Sequence, residues 1–257
     1  MAVFEKKAIS LHQKMAGDAV RVGKRIPHIY TFVELDATQA REQIRAYRRE
    51  TGKQVSFSAY LMHCCAKAIE QDKEIQTMAV TRNKLITPSQ VDFFVPLEAR
   101  VEDGHQLTSR LIRNVPDKTP SELDDLLRTA VTEPAPVSKT TKAFLRLPWF
   151  VRSLFYRWWQ TTPNLRQRYF GSVYYSSIIN YSADRRTWGL PIPMHALGIF
   201  VGTTSKRVVE TSNGNKTRDM VQLTISVDHR ANNGGDMARF VHRLKYLLEH
   251  QNLPTVS

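Results

Sequence analysis

One histidine near the C-terminus, His229, follows an alternating apolar segment and precedes a turn that contains Gly234 and Gly235. A side chain at such a strand end can project from a rigid edge into a cleft. Imidazole can take a proton from a thiol, hydroxyl or amine near neutral pH and return it, without a shifted pKa. The position therefore favours a general base, and a surface or structural histidine is the alternative for this residue taken alone.

The apolar pattern predicts the elements that must position this histidine. Runs of β-branched and aromatic residues predict strands at 27–36, 91–100, 106–112, 173–179, 195–203 and 221–227. Helical spacing and capping residues predict helices at 38–49, 119–130 and 236–249, and a buried helix that begins at Ser56 or Ser58. Asp103-Gly104 and Asn213-Gly214 predict tight turns. The pattern favours one mixed α/β domain over residues 1–257.

Composition narrows the class of protein. No apolar run approaches the roughly 20 residues that cross a bilayer, and the N-terminus has no secretory pattern, so we expect a soluble cytoplasmic protein. Cys64 and Cys65 are adjacent, which favours two buried thiols over a disulfide. The net charge of +13 calls for an anionic neighbour: nucleic acid, an acidic membrane or a phosphorylated cofactor. No nucleic-acid-binding motif accompanies the charge, so we expect no nucleic acid partner.

The residues around His229 resemble a known signature. Asp228, His229, Arg230 and Gly234 match Asp-His-Arg-x-x-Asp-Gly of the acyltransferase catalytic domain of 2-oxoacid dehydrogenase complexes, and more distantly His-x-x-x-Asp-Gly of chloramphenicol acetyltransferase. Pro27-His28, the predicted hairpin and the predicted helices recur in the family's order. The resemblance implies a chloramphenicol acetyltransferase-like mixed sheet flanked by helices, in a stand-alone core without lipoyl or subunit-binding domains.

The resemblance also implies roles for three residues. His229 is the expected general base, and Ser176, with Ser177 as its competitor, is the expected donor to the oxyanion. Asn233 stands where the family has an Asp that holds site geometry through an arginine. Coenzyme A, or a carrier or lipoyl domain on another chain, would bring the acyl group, with no metal and no covalent enzyme intermediate. A homotrimer would build each site from two subunits. Because Asn233 departs from the signature, a non-catalytic scaffold or ligand-binding subunit is the rival hypothesis.

Residues 139–169 form a basic, aromatic segment that the resemblance marks as an insertion. No acidic residue occurs between Glu133 and Asp184. Within residues 144–159, helical spacing puts five apolar side chains on one face and Arg152, Ser153, Tyr156 and Arg157 on the other. A helix packed over the active site, or a contact between subunits, is the favoured interpretation, and a peripheral membrane surface or a protein partner is the alternative.

Overall fold

Six strands form one mixed sheet in a computed structural model that describes residues 8–101, 104–133, 138–179, 186–211 and 214–250. The strands, together with a separate two-stranded hairpin formed by the second and third, are β1 His28–Asp36, β2 Met78–Thr81, β3 Lys84–Ile86, β4 Phe93–Val101, β5 Gly104–Ile112, β6 Val173–Ser177, β7 Leu197–Thr211 and β8 Gly214–Asp228. The large sheet has the order β1-β8-β7-β6-β4-β5. Strand β6 runs parallel to both of its neighbours, and the other pairs are antiparallel.

Eight α-helices accompany the sheet within the described residues. They are α1 Leu11–Gly23, α2 Thr38–Thr51, α3 Phe57–Gln71, α4 Pro120–Thr132, α5 Lys139–Arg146, α6 Trp149–Thr161, α7 Pro163–Phe170 and α8 Gly234–His250. Short 3-10 helices lie at Lys73–Gln76 and Val115–Asp117. No helix in this part of the chain is both long enough and apolar enough to cross a bilayer.

The main core lies between one face of the sheet and helices α3, α4 and α8. Alternate residues of β8, from Val221 to Val227, join this core, as period-two burial requires. Helix α3 is its centre and buries ten of its residues, because it is apolar on nearly every side. Cys64 and Cys65 are free thiols in that helix, as predicted, and burial raises the pKa of Cys64 to about 12.

Local capping sets several element boundaries as the sequence predicts. The hydroxyl of Ser56 accepts a hydrogen bond from the Ala59 amide, so Ser56 and not Ser58 caps α3. Thr119 and Glu122 form a reciprocal capping box before α4. Gly52 ends α2 at φ 69°, a conformation that favours glycine. The tight turns predicted at Asp103 and Asn213 lie outside the described residues.

Helices α1, α5, α6 and α7 form a second layer that the sequence predicted only in part. Arg152 of α6 is buried, and its guanidinium donates to both carboxylate oxygens of Asp18 in α1, at 2.8 and 3.2 Å. The predicted helical faces of α6 are present, but the face that carries Arg152 and Tyr156 packs inward. Trp149 (61% exposed) and Leu154 (64%) point away from the chain. The apolar face predicted for α6 is therefore largely exposed, and its packing over the active site or against another subunit stays a prediction.

Candidate active site

Strand β8 ends at a carboxylate that organises the following turn. Asp228 is 1% exposed, and both of its oxygens accept from Arg230, at 2.8 Å from Nε and 2.6 Å from Nη2. The Arg230 amide also donates to Asp228, at 3.1 Å. This two-pronged pair holds the turn and raises the pKa of Arg230 through the side-chain hydrogen bond. The backbone on either side of position 229 is thereby fixed.

His229 sits on this fixed turn with an exposed side chain. Its amide donates to the carbonyl of Pro27, at 2.9 Å, which ties the turn to the residue before β1. Its ring Nδ1 lies 3.0 Å from the carbonyl of Asn232. A carbonyl can only accept, so Nδ1 carries the hydrogen and Nε2 keeps its lone pair in the neutral ring. The turn therefore orients the ring and leaves Nε2 as the basic atom.

The two asparagines after His229, Asn232 and Asn233, have different structural roles. Asn232 is buried, and its side-chain amide donates to the carbonyl of Thr77, at 3.3 Å. Asn233 is exposed, and its Oδ1 accepts from the amides of Gly235 and Asp236, at 2.8 and 3.3 Å. Asp236 in turn accepts from the Asn233 amide, at 2.7 Å. Asn233 is thus the N-cap of α8, and no described arginine forms a hydrogen bond with its side chain.

The serine pair lies on β6, on two different faces. Val173 and Tyr175 join the helix-covered core, so Ser177 shares their face, while Ser176 and Tyr174 lie on the opposite one. Ser176 forms a hydrogen bond with the Tyr174 hydroxyl, whose pKa is raised mainly by burial. The Ser177 hydroxyl accepts from the Ile179 amide, at 3.3 Å. The two candidate oxyanion donors therefore lie on opposite faces of the sheet.

The sheet register keeps both serines far from His229 in one chain. Ser176 pairs with Phe200 of β7, which pairs with Thr224 of β8. Two strand spacings and five residues along the sheet separate Ser176 from His229, a distance of roughly 20 Å. One subunit alone does not bring the predicted base and the predicted oxyanion donor together.

Buried and half-buried groups lie behind His229, and no role was predicted for them from the sequence. His28 pairs in register with Asp228, and its Nε2 lies 3.0 Å from the carbonyl of His195. Burial lowers the pKa of His28, and burial together with Arg166 lowers that of His195 to about 3. Arg166 is itself buried. Only the fold brings these residues from distant parts of the chain to the end of β8.

Metal ligands do not cluster at this site. Across the described ranges, no three His, Cys, Asp or Glu side chains come together as a group that could hold a metal ion.

Comparison with known proteins finds similarity to one group of acyltransferases. Residues 191–255 match the family model for the catalytic domain of 2-oxoacid dehydrogenase acyltransferases. The chain is 26% identical over 244 residues to the lipoamide acyltransferase component of the branched-chain alpha-keto acid dehydrogenase complex of Bacillus subtilis (strain 168). That match covers 93% of this chain and 50% of the Bacillus protein. The chain is therefore similar to the 2-oxoacid dehydrogenase acyltransferases, the resemblance that the signature around His229 predicts. It spans about half the length of the Bacillus protein.

Two solved structures show that the chain also shares the predicted fold. One is a structure of Azotobacter vinelandii dihydrolipoamide acetyltransferase, which concerns the role of a serine, a histidine and an asparagine in the catalytic mechanism of that enzyme. It superposes with a TM-score of 0.71 at 19% identity, and the match covers 96% of this chain and 92% of the other. Chloramphenicol acetyltransferase superposes with a TM-score of 0.54 at 11% identity, covering 95% and 100%. The predicted chloramphenicol acetyltransferase-like mixed sheet flanked by helices is confirmed.

Proposed function

We propose that the chain is an acyltransferase that uses His229 as its general base. The observation that carries this proposal is the hydrogen bond of His229 Nδ1 to the Asn232 carbonyl, because it leaves Nε2 free to accept a proton. Nε2 takes the proton of an acceptor thiol, hydroxyl or amine as that atom attacks the carbonyl carbon of an acyl thioester. When the tetrahedral intermediate collapses, the C–S bond breaks and the leaving thiolate takes the proton back.

Ser176 is the proposed donor to the oxyanion of that intermediate. In the Azotobacter enzyme, the serine precedes the histidine by 52 positions and the asparagine follows it by four. The same spacings from His229 fall on Asn233 and on Ser177, and Ser176 lies one position earlier. Ser176 lies on the face opposite the helix-packed core, which supports it over Ser177. Asparagine at position 233 is in keeping with an active enzyme of this kind.

The proposed active form is a homotrimer or a multiple of one. The separation of roughly 20 Å between Ser176 and His229 within a subunit requires a neighbour to complete the site if both take part. The family likeness supports coenzyme A, or a carrier or lipoyl domain on another chain, as the source of the acyl group. No step of the proposed transfer uses a metal.

The outward face of α6 is the proposed place for a further contact. Trp149, Phe150, Leu154 and Trp158 are all exposed, beside the basic residues of the same segment. Such a face fits a neighbouring subunit or, through tryptophan and positive charge, an anionic lipid surface. Co-sedimentation with vesicles of phosphatidylserine and phosphatidylcholine separates the two: only a lipid contact gives binding that Trp149→Ala and Trp158→Ala together abolish.

Thiol release from acyl-coenzyme A, measured with a panel of acceptors, tests the central proposal. We expect His229→Ala to lower kcat by about 10²- to 10⁴-fold, the usual contribution of a general base. His242→Ala is the matched control, because that histidine is exposed on α8 away from the site, and it should leave the rate unchanged. If the wild-type chain transfers to no acceptor, or if His229→Ala keeps full activity, the chain is instead a non-catalytic scaffold or uses another base.

A further inference from the structure

Four arginines from separate parts of the chain line one cavity of about 160 Å³ beside the turn that carries His229. Arg25 precedes β1, Arg157 is on α6, Arg166 is on α7 and Arg230 follows His229 directly. The other lining residues are neutral, namely Ile26, Ala79, Val80, Gln160 and Thr161. We call this space the arginine cavity. Its described wall carries cationic side chains and no carboxylate.

The charge of the arginine cavity is only partly balanced. Asp228 engages Arg230 with both oxygens. Among the described residues, no carboxylate forms an ion pair with Arg25, Arg157 or Arg166. Arginine keeps its proton at neutral pH, so several positive charges face one small space. Their mutual repulsion is relieved when an anion binds between them.

Two of the cationic groups are held rigidly. Arg166 is only 6% exposed, and its Nη2 donates to the carbonyl of Met194, at 2.9 Å. Arg230 is fixed by Asp228. The buried pair of Arg152 and Asp18 fixes α6, and with it the place of Arg157. Pre-placed guanidinium groups lose little freedom when they bind a ligand, which favours affinity.

A second basic space shares one wall residue, Arg25, with the arginine cavity. A neighbouring cavity of about 300 Å³ shares Arg25 and adds Arg21 and Lys24. The acidic residue that lines it, Asp18, is already engaged by Arg152. The two basic spaces share Arg25, an arrangement that suits a ligand with more than one anionic group.

We propose that the arginine cavity binds a phosphate group of a small organic phosphate or diphosphate. The planar fork of arginine matches phosphate oxygens two at a time, and paired arginines are a common means of phosphate recognition. The phosphate belongs either to the nucleotide part of coenzyme A or to a separate phosphorylated metabolite. Arg157, Gln160 and Thr161 come from the 139–169 segment, which gives this part of the chain a binding role. The proposal concerns binding alone and does not depend on acyl transfer.

Isothermal titration of the full chain with inorganic pyrophosphate and with adenosine 3′,5′-bisphosphate tests the proposal, with succinate as a carboxylate control. We expect Arg25→Ala and Arg157→Ala each to weaken phosphate binding by about tenfold, since each removes a charge-assisted hydrogen bond. Both residues are exposed, so the variants should fold, which circular dichroism checks. Arg146→Ala, in the same segment but outside both cavities, should change the affinity by less than about twofold.

The outcomes separate the two sources and the two proposals. Tighter binding of adenosine bisphosphate than of pyrophosphate identifies the coenzyme A nucleotide, and equal binding identifies a separate phosphate. Unchanged affinity in both arginine variants, absence of phosphate binding at millimolar concentration, or equally tight succinate binding overturns the inference. His229→Ala should bind pyrophosphate as the wild type does, so loss of acyl transfer and loss of phosphate binding are distinguishable.

Discussion

At the scale of single residues, the turn after β8 explains why the chemistry of His229 needs its neighbours. A histidine alone has two tautomers and a freely rotating ring, whereas here the Asn232 carbonyl selects the tautomer with the proton on Nδ1. Asp228 and Arg230 then fix the backbone that carries the ring. These contacts link residues within five positions of each other, which is why a short signature can encode them.

Replacing each serine of the pair at 176–177 decides which one stabilises the oxyanion. We expect Ser176→Ala to lower kcat by about 10²- to 10³-fold with little change in KM, because the donor acts on charge that develops in the transition state. Ser177→Ala, on the core face, should stay within about threefold of wild type. Steady-state kinetics with acyl-coenzyme A gives both values, and the reverse order of effects would transfer the role to Ser177.

Asn233 should act mainly through the helix that it caps. Asn233→Ala removes the acceptor for two amides of α8 and should lower the free energy of unfolding by about 1 kcal/mol. Asn233→Asp keeps an equivalent cap and should remain within about 0.5 kcal/mol of wild type. Urea denaturation measures both. Equal destabilisation by the two substitutions would contradict a capping role.

His195 should make the fold sensitive to acid. Its pKa of about 3 in the fold lies below the usual 6.5, so the unfolded chain binds the extra proton between these values. The stabilising contribution is complete above pH 6.5 and is lost as the pH falls towards 3. Between pH 7.5 and 5, the loss from this residue is about 2 kcal/mol. Urea denaturation at pH 7.5 and pH 5 measures the difference in the free energy of unfolding, and His195→Gln should reduce this difference by about 2 kcal/mol. An unchanged difference would show that His195 is not the source of the acid sensitivity.

At the scale of elements, the segment that the sequence described least well is the layer formed by α1 and α5–α7. Amphipathic spacing correctly predicts two faces for α6, but it assigns an apolar face to the interior by default. Here the buried ion pair between Arg152 and Asp18, 134 positions apart, draws the polar face inward. The hydrophobic periodicity of each helix does not reveal a long-range ion pair of this kind.

Breaking the ion pair between Arg152 and Asp18 should strongly destabilise the fold, because it leaves one buried charge without its partner. We expect Asp18→Ala to lower the free energy of unfolding by about 3–5 kcal/mol, and Asp18→Ala combined with Arg152→Met to recover most of the loss. Glu70→Ala is the matched control, since it breaks the exposed pair with Lys67 and should cost less than about 1 kcal/mol. A small loss in Asp18→Ala, or a double variant no better than the single one, would show that the pair does not anchor α1.

At the scale of the whole molecule, the distance between Ser176 and His229 makes assembly part of the chemistry. If each site takes its histidine from one subunit and its serine from the next, inactive subunits can complement one another. We expect an equal mixture of His229→Ala and Ser176→Ala subunits, refolded together, to recover about a quarter of the wild-type sites. Activity no higher than that of the separate variants would place the whole site within one chain. Sedimentation equilibrium should give the mass of a trimer or its multiple.

The sequence by itself determined the local parts: the main strands and helices, the caps at Ser56 and Thr119, the buried cysteines and the signature around His229. Each of these depends on periodicity or on contacts within a few residues, which the order of side chains encodes directly. The tertiary structure alone decided the inward face of α6, the burial of His195 and Arg166, and the convergence of four arginines beside His229. These features depend on contacts between residues far apart in the chain, and only packing and sheet register bring such residues together.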